Sequence, residues 1–551
     1  MTSNKDDKIP LGSQSAEISL NRLLSQVATG VKKFSENLGG QVKRLTEIGL
    51  ALSAEKNLDK LLEMILDEAR LFTNADAGTL YIKEGNKLNF KIIQNDSIKI
   101  RMGGTSNQAI TFPPVELQMS NVSAYVVIKD KSVNIPDVYN SDLFDFTGPK
   151  EFDNRTKYRT KSMLVIPMKN HENDVIGVLQ LINAKDIQTG DVISFSESFE
   201  ELTHSLASQA AIAITNVKLI QDMENLFNSF VKVMATAIDE KSPVTAGHIR
   251  RVAELTCKMA NTITEKKEGP FANVYFDKDQ LNELKIAGWM HDIGKVATPV
   301  QIIEKGKKLE SIFDRVNYIA LRFHYITKAV EVEAYKKKVE LLEQKAPKEE
   351  IDNLERETEK KLQEIEESTN LVMICNEPGE YLEDEKIEKL GKLAKMTYKE
   401  GEKQLPLLSE DELLNLSIRK GSITEAERQK MQDHAAISLK MLEQIPFTKK
   451  LKNIPLFAGA HHEYLNGKGY PKGLKGDEIP LEGRILAVVD VAEALSAQDR
   501  PYKKAMPMEQ VYKILGFMVK DGELDPQVVD LIIKEKVLER YLEETEKALK
   551  S

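Results

Sequence analysis

Apolar residues near the start of the chain recur at three- and four-residue spacing, which predicts helices. The stretch reads LNRLLSQVATGVKKFSENLGGQVKRLTEIGLALSAEKNLDKLLEMILDEARLF. Three strand-like runs follow: AGTLYIKEGNKLNFKIIQ, AYVVIKDKSVNI and SMLVIPMKNHENDVIGVLQLINAK, the last with NHEND as a hairpin turn. Together with a long closing helix, they predict an α+β domain over about residues 38–220. Residues 1–37 are predicted to form a separate segment, disordered over its polar first 18 residues and then helical.

The closing helix, predicted over residues 195–238, carries a second pattern. Its apolar positions step by four, three, four and three: Leu219, Met223, Leu226, Phe230 and Val233. This is coiled-coil spacing over a short span, and it predicts a homodimer joined through this connecting helix. A single amphipathic helix packed on its own domain would show the same pattern, and so few heptads do not separate the two interpretations.

The second half of the chain, residues 228–545, is predicted to be an all-α domain because apolar stripes alternate there with few strand signals. Within it, residues 311–410 form an insertion that contains the highly charged stretch EAYKKKVELLEQKAPKEEIDNLERETEKKLQEIEES. Opposite charges four residues apart favour solvated helices, and Pro347 divides the stretch into two, as in a helical hairpin.

Composition restricts the class of protein. The 551 residues are 30% charged and carry a formal net charge of -9, which argues against a nucleic-acid polymer as partner. A small phosphate-bearing ligand in a local basic pocket stays compatible with that charge. The chain has two cysteines, no basic segment followed by an apolar run at its start, and no apolar stretch of about 20 residues. We therefore expect a cytoplasmic protein without membrane insertion.

Histidines are concentrated in the predicted helical half. Of the eight in the chain, five lie within or at the ends of helical patterns there: His248, His291, His434, His461 and His462. Asp292 adjoins one of them, and Asp490 interrupts the apolar run ILAVVDVAEAL, where a buried carboxylate requires a partner or a metal. Imidazoles and carboxylates without cysteine suit Fe, Mn, Ni or Zn in a site with open positions for water and substrate.

The order of these elements resembles the HD-GYP family of the HD phosphohydrolase superfamily. The resemblance rests on a helix-borne His, the pair HD, a further His, HHE followed by GKGYP, and a later Asp, over roughly residues 228–310 and 410–515. It implies two divalent metal ions, preferably Fe or Mn, with seven ligands: His248, His291, Asp292, His434, His461, His462 and Asp490. It also implies hydrolysis of cyclic di-GMP to the linear dinucleotide pGpG, to GMP or to both.

The same resemblance implies further roles. Asp292 would bridge the ions, and adjacent His461 and His462 would serve different ions. Lys295, on the same side as His291 if the helix continues, would neutralise charge on the phosphate during catalysis. The remaining substrate-binding candidates are Tyr470, which a loop-anchoring role would explain equally well, and the phosphate-binding pair Arg500 and Lys503.

Three features depart from the family pattern. Val244 stands where some members have a Glu that helps to hold a third metal, which favours two ions here. The usual D-x-Y-D-A-L reads DVAEAL, with Ala492 and Glu493. The insertion separates TPVQIIEKGKKLE from LSIRKGSITEAERQKMQDH, so we expect these segments to meet in space, with the insertion emerging near the rim of the site.

The first half resembles a GAF domain, most clearly in YRTKSMLVIPMKNHENDVIGVLQLINAKD, and such domains bind varied small ligands or none. Asn183, Lys185 and Phe195 partly match the signature of cyclic-nucleotide-binding members, but NAKD interrupts it. The favoured hypothesis is a cyclic di-GMP phosphodiesterase regulated by this domain. The alternatives are hydrolysis of another cyclic dinucleotide, such as cyclic GMP-AMP, and a catalytically silent nucleotide-binding module.

Overall fold

The computed structural model describes residues 11–242, 247–379, 381–497 and 506–550. The chain divides into two compact units, Met1–Leu226 and Phe227–Ser551. The first is α+β and the second is almost entirely helical, which confirms the predicted fold class. In the described part of the chain, no helix is both long and apolar enough to cross a bilayer.

The first unit is built on one antiparallel sheet. Its strands are β1 (Ala75–Glu84), β2 (Lys87–Asn95), β3 (Ile100–Gly103), β4 (Val115–Glu116), β5 (Val133–Ile135), β6 (Met163–Lys169), β7 (Val175–Lys185) and β8 (Val192–Ile193). The order across the sheet is β3-β2-β1-β7-β6-β5, with β4 paired to β2 and β8 paired to β7. The Asn170–Asp174 segment closes the β6–β7 hairpin, as NHEND predicts.

The two faces of this sheet pack into different cores. One face packs on α1 (Leu11–Ala54), α2 (Leu58–Thr73) and the first half of α5 (Glu197–Asp239). The other face packs on α3 (Val122–Lys129) and on Val138 and Phe146, and α4 (Thr147–Thr156) follows directly after Phe146. Strand β1 shows the alternation, because Leu80 and Ile82 belong to the first core and Tyr81 belongs to the second.

The prediction of a strand through AYVVIKDKSVNI was wrong over most of its length. Residues 122–129 form α3, and only Val133–Ile135 is a strand. Asn121 caps the helix by accepting hydrogen bonds from the backbone N–H groups of Ser123 and Ala124, at 3.0 and 3.1 Å. A short apolar run fits a buried helix as well as a buried strand, and the cap and the packing surface decided the outcome.

The polar start of the chain was also predicted wrongly in part. Helix α1 already begins at Leu11, within the segment expected to be disordered. Residues 1–10 lie outside the described part of the chain.

The second unit contains the end of α5 and helices α6 to α18. They are α6 (His248–Thr264), α7 (Lys278–Met290), α8 (Val300–Ile303), α9 (Val316–Glu343), α10 (Lys348–Asn376), α11 (Asp384–Lys395), α12 (Glu410–Leu416), α13 (Glu425–Leu442), α14 (Ile454–Gly459), α15 (Leu481–Ser496), α16 (Met508–Lys520), α17 (Pro526–Lys534) and α18 (Val537–Lys550). A 3-10 helix, Ile293–Ala297, follows α7. Helices α6, α7, α13, α14 and α15 pack on one another and position the site described below.

The insertion forms the predicted helical hairpin. Helices α9 and α10 pack together on either side of Pro347, and Lys338 of one pairs with Glu355 of the other at 2.5 Å. A small β-hairpin, β9 (Thr397–Glu400) with β10 (Lys403–Pro406), was not predicted, since the polar sequence TYKEGEKQLP has no apolar alternation.

The two segments that the insertion separates do meet, as expected. The ammonium of Lys305 lies 2.8 Å from Asn415 Oδ1 and 2.8 Å from the carboxylate of Glu427. The hydroxyl of Ser422 donates to the Lys305 carbonyl at 2.6 Å. That the insertion borders the active site stays a prediction.

Candidate metal centre

Seven candidate ligands stand on, or directly after, helices of the second unit. They are His248 at the start of α6, His291 and Asp292 after α7, His434 in α13, His461 and His462 after α14, and Asp490 in α15. Six are buried and His462 is half-buried. Residues from five helices therefore converge at one point of the helical bundle.

Asp292 lies at the centre of this cluster. Its Oδ1 atom is 3.2 Å from His434 Nε2 and 3.9 Å from His461 Nε2. Its Oδ2 atom is 3.2 Å from His291 Nε2 and 3.7 Å from His248 Nε2. The two oxygens of one carboxylate thus face two different sets of imidazoles.

The cluster resolves into overlapping groups whose ligand atoms lie within 4.8 Å of one another. One group is His434, His461 and His462, another is His248, His291 and Asp490, and a third is His291, Asp292 and His461. His461 and His462 share the first group, whereas the family resemblance assigns them to different ions. His461 also belongs to the third group, whereas His462 does not. Of these two histidines, His461 is therefore the one that lies near both His434 and His291.

The buried histidines are oriented by their Nδ1 atoms. In three of them Nδ1 donates to the backbone carbonyl three residues earlier: His291 to Gly288 at 2.8 Å, His461 to Ala458 at 2.6 Å, and His434 to Met431. Because a carbonyl can only accept, Nδ1 carries the proton. The Nε2 atoms therefore point into the cluster, in the orientation that a metal-ligating histidine requires.

Several of these inward-facing atoms have no hydrogen-bond partner within the described part of the chain. They are Nε2 of His291, His434 and His461 and Oδ1 of Asp292, all buried. Buried polar atoms are normally hydrogen-bonded, and each one left unpaired costs about 1–3 kcal/mol. A set of imidazole and carboxylate atoms directed at one another in this way fits divalent transition metals.

The two histidines after α14 are electrically neutral. Burial lowers the pKa of His461 well below its ordinary value, and the nearby His462 and His291 lower it further. Burial also lowers the pKa of His462 to about 4. Both rings thus keep the lone pair that a metal ion needs.

The other side of the cluster holds separated charges. Burial alone would lower the pKa of His291, but Asp292 and Asp490 outweigh it and raise that pKa to about 10. Burial alone would raise the pKa of Asp292, but Lys295 and His291 hold it well below the usual range. A second proton on His291 would lie on Nε2, which faces Asp292 Oδ2 at 3.2 Å, and a metal ion bound there would displace it.

Glu493 is a member of the site that sequence reasoning did not assign. Its carboxylate contacts Nδ1 of His248 and accepts from Arg251 Nε at 2.5 Å, and its side chain is buried. It thereby orients His248 as the carbonyls orient the other three histidines. The signal was present, because Glu493 lies three residues after Asp490 and so on the same face of α15.

We expect Glu493→Ala to lower metal affinity about 10–100-fold, as loss of an outer-shell partner of a metal-ligating His does. Glu493→Gln keeps an oxygen that accepts from His248 and should lose less. Titration of chelator-stripped protein with Mn²⁺ measures both variants. If Glu493→Ala binds the metal as tightly as the unchanged protein, Glu493 has no part in orienting His248.

Lys295 lies beside the cluster, but it is not on the helix that carries His291, as the prediction assumed. Helix α7 ends at Met290, and Lys295 belongs to the following 3-10 helix. Its ammonium is 2.5 Å from Asp292 Oδ2. The Lys241 ammonium, just beyond α5, donates to the carbonyls of Lys295, Val296 and Thr298 at 2.7–2.8 Å and fixes this segment in place.

The GKGYP loop packs against the site through its backbone. A Cβ atom at Gly469 would lie 2.3 Å from the Tyr464 nitrogen and 2.5 Å from the His462 carbonyl oxygen, so only glycine fits. The buried Glu463 carboxylate accepts from two loop N–H groups, at 2.7 and 2.8 Å. The loop thereby brings the Tyr470 ring to 4.8 Å from the His462 ring.

Three residues singled out in the sequence lie outside the described part of the chain. They are Val244, Arg500 and Lys503. Their roles stay predictions.

Family comparisons agree with this architecture. Residues 57–214 match the GAF domain family. Residues 245–374 and 352–528 each match HD domain families.

Individual relatives match shorter parts of the chain. The 3'3'-cGAMP-specific phosphodiesterase 3 of Vibrio cholerae is 45% identical over 96 residues, which are 17% of this chain and 20% of that protein. The cyclic di-GMP phosphodiesterase of Thermotoga maritima is 34% identical over 120 residues, or 21% of this chain and 31% of the relative. The cGMP-specific 3',5'-cyclic phosphodiesterase of Drosophila melanogaster is 26% identical over 223 residues, which are 39% of this chain and 18% of that protein.

The matched segments thus span less than a third of each of these relatives. The domain matches and the HD and GKGYP motifs nevertheless agree with one another along the chain. This chain therefore joins an N-terminal GAF domain to an HD domain, and the HD and GKGYP motifs of the second domain resemble those of the HD-GYP family.

Proposed function

We propose that the HD domain is a metal-dependent phosphodiesterase that hydrolyses cyclic di-GMP to pGpG, GMP or both. The observation that carries this proposal is the convergence of five histidines and two aspartates, several with buried Nε2 atoms directed at one point. Such a centre suits hydrolysis of phosphate esters, and relatives of this domain are named cyclic dinucleotide phosphodiesterases.

In this proposal the ligands divide into two sets around Asp292. His434, His461 and His462 hold one divalent ion, and His248, His291 and Asp490 hold the other. Asp292 contacts both sets through its two oxygens and would bridge the ions. Fe and Mn are the preferred metals, and Ni and Zn also accept this ligand set. When bound, two such ions supply a hydroxide of lowered pKa and neutralise phosphoryl oxygens.

The remaining residues position the substrate and balance its charge. The Lys295 ammonium, held beside Asp292, would stabilise negative charge that develops on the scissile phosphate. Tyr470 lies over His462 at the edge of the cluster, where its half-buried ring would stack on a base. Arg500 and Lys503 would bind the second phosphate of a cyclic dinucleotide.

The direct test is a substrate panel. Purified full-length protein loaded with Mn²⁺ or Fe²⁺ is incubated with cyclic di-GMP, 3'3'-cGAMP, cyclic di-AMP and cGMP, and products are separated by chromatography. Metal content of the same samples is measured by elemental analysis and should be close to two ions per chain. Protein that holds two ions and cleaves none of the four would be a silent binding module instead.

A second substrate is favoured by one specific observation. The relative quoted at 45% identity is named for 3'3'-cGAMP, which differs from cyclic di-GMP in one base. The panel separates the two proposals through the ratio of kcat/KM values for the two dinucleotides. A ratio in favour of 3'3'-cGAMP would replace cyclic di-GMP in the proposal and leave the metal chemistry unchanged.

We also propose that the GAF domain regulates hydrolysis through helix α5 and that the chain forms a homodimer along this helix. The apolar seam on α5 consists of Leu219, Met223, Leu226, Phe230 and Val233, each at least half exposed in the single chain. Just past the end of α5, Lys241 holds the segment that carries Lys295. A shift of the helix end would therefore be felt next to Asp292.

We expect Met223→Glu combined with Phe230→Glu to convert a dimer into a monomer, because charges facing each other across a coiled-coil seam oppose association. Sedimentation measures the mass of the assembly. The matched control is Met373→Glu, which changes an exposed methionine of α10 away from the seam. If the unchanged protein and the seam variant have equal masses, the seam does not mediate dimerisation, and α5 only connects the two domains.

A further inference from the structure

The GAF domain encloses a cavity that the hydrolytic site does not use. Its volume is about 320 Å³, and it lies between the sheet and helices α3 and α4. That volume is at the lower end of the range for small-molecule sites, which are about 300–1,000 Å³. The cavity is large enough for one small ligand.

One wall of the cavity is aromatic. Tyr81, Phe90, Phe112 and Phe152 all line it. Taken in that order, successive ring centroids are 4.7, 5.6 and 6.5 Å apart, so the four rings form a continuous surface. Such a surface favours a flat, apolar or aromatic ligand.

The lining carries no positive charge. Among the described residues that line the cavity, none is Lys, Arg or His, and Asp145 is the one charged side chain. Hydrogen bonds from Thr147 lower the pKa of Asp145, which is exposed and therefore anionic at neutral pH. A phosphate entering here would meet a carboxylate and no cation.

Helix N-termini offer anions a second means of binding, and here side chains already accept from N–H groups at both nearby helices. At α3 the N–H groups of Ser123 and Ala124 donate to Asn121 Oδ1. At α4 the N–H of Thr147 donates to Asp145 Oδ1 at 2.9 Å. Pro149, in the first turn of α4, has no N–H to offer.

The residues that partly match the cyclic-nucleotide signature are used elsewhere. Asn183 accepts from the backbone of Lys161 at 2.7 Å and donates to the Arg159 carbonyl at 2.8 Å. Lys185 pairs with Asp76, and Phe195 is buried in the core between the sheet and helices α1, α2 and α5. They hold the fold together and do not line the cavity.

The cavity does contain a neutral polar end. The Tyr81 hydroxyl donates to Gln180 Oε1 at 3.0 Å, and Gln180 Nε2 contacts the Met163 sulfur at 3.2 Å. Sulfur is a weak acceptor, so a ligand carbonyl or hydroxyl would be a better partner for this amide. These groups recognise a polar atom without requiring charge on it.

We propose that this cavity binds a flat, uncharged aromatic molecule with one neutral polar group, and that it excludes cyclic nucleotides and cyclic dinucleotides. The GAF domain would then respond to a ligand that is chemically unrelated to the substrate and product of the HD domain. This proposal goes beyond the hydrolytic function and does not depend on it.

A matched pair of probes tests the proposal on the full-length protein. The probes are 2-naphthol, which is uncharged at neutral pH, and 2-naphthyl phosphate, which adds only the anion. We expect calorimetry to give saturable 1:1 binding of 2-naphthol and binding of the phosphate that is weaker by about tenfold or more, since a buried anion without a partner is costly. Addition of cGMP should not displace 2-naphthol.

Two variants place the bound probe. Val115→Trp fills the cavity and should abolish 2-naphthol binding, whereas Ile187→Trp adds the same side chain at a position 88% exposed and should not. If Val115→Trp proves unstable on thermal unfolding, Phe112→Ala serves in its place. This variant removes one ring of the aromatic wall and should weaken 2-naphthol binding about fivefold or more.

The proposal is overturned by equal or tighter binding of 2-naphthyl phosphate, by displacement with cGMP, or by no 2-naphthol binding at millimolar concentration. Binding that persists in both cavity variants overturns it as well. None of these outcomes bears on hydrolysis by the HD domain, so the two proposals fail independently.

Discussion

Asp292→Asn should remove bound metal and hydrolytic activity together while the helical fold persists. The amide has the shape of the carboxylate but no charge, and it would face Nε2 atoms of His291 and His434 at 3.2 Å. It would also leave the Lys295 ammonium, now 2.5 Å from Oδ2, without this anion. We expect kcat/KM to fall by about a hundredfold or more and metal content to fall well below two ions per chain.

The matched control is Asp433→Asn, the same change at an exposed carboxylate next to His434. Asp433 accepts from Gln429 on the surface of α13 and does not face the cluster. Elemental analysis and the cyclic dinucleotide assay should give unchanged values for this control. An Asp292→Asn protein that retains both metals would exclude Asp292 as the bridging ligand.

Gly294→Ala should destabilise the HD domain through one methyl group. A Cβ atom at Gly294 would lie 2.0 Å from the His434 carbonyl oxygen and 2.6 Å from the Ser438 nitrogen. These are backbone atoms of α13, so the clash is not relieved by rotating a side chain. We expect the free energy of unfolding to fall by about 1–3 kcal/mol, as overpacking does, and metal affinity to fall because His434 moves.

Gly391→Ala is the control for this substitution. Gly391 lies in α11, where an added methyl group would have no neighbouring atom within 4 Å, and alanine is the better helix former by about 1 kcal/mol. Its stability should be unchanged or higher. Trp289, the single tryptophan of the chain, lies on α7 and packs in the core of this domain, so its fluorescence follows unfolding of the domain in denaturant. If both variants unfold at the same denaturant concentration, the close approach of Gly294 to α13 has no energetic importance.

Much of the architecture followed from periodicity. Three- and four-residue spacing predicted the helices that precede and follow the strands along the chain, and strand-like runs predicted β1, β2, β6 and β7. The failures came where the local pattern is ambiguous. Residues 122–129 are mostly apolar and became a helix because Asn121 caps them and the sheet covers them.

The candidate ligands could be named from the sequence because their residue types and order are unusual. Their grouping could not, since His434 and Asp292 belong to distant segments of the chain and yet lie 3.2 Å apart in space. The same holds for Glu493, whose contact with His248 joins α15 to α6. In the sequence, Glu493 within DVAEAL was recognised as a departure from the family pattern, but no role could be assigned to it.

The sequence by itself determined the two halves, the helical hairpin of the insertion and the chemical types of the candidate metal ligands, because these depend on local spacing and composition. Tertiary structure alone decided which imidazole nitrogen faces the cluster, which glycines admit a neighbouring backbone, and that the described lining of the GAF cavity carries no cation. Those properties depend on distances between residues far apart in the chain. Periodicity carries no information about such distances, and packing of the helices and the sheet fixes them.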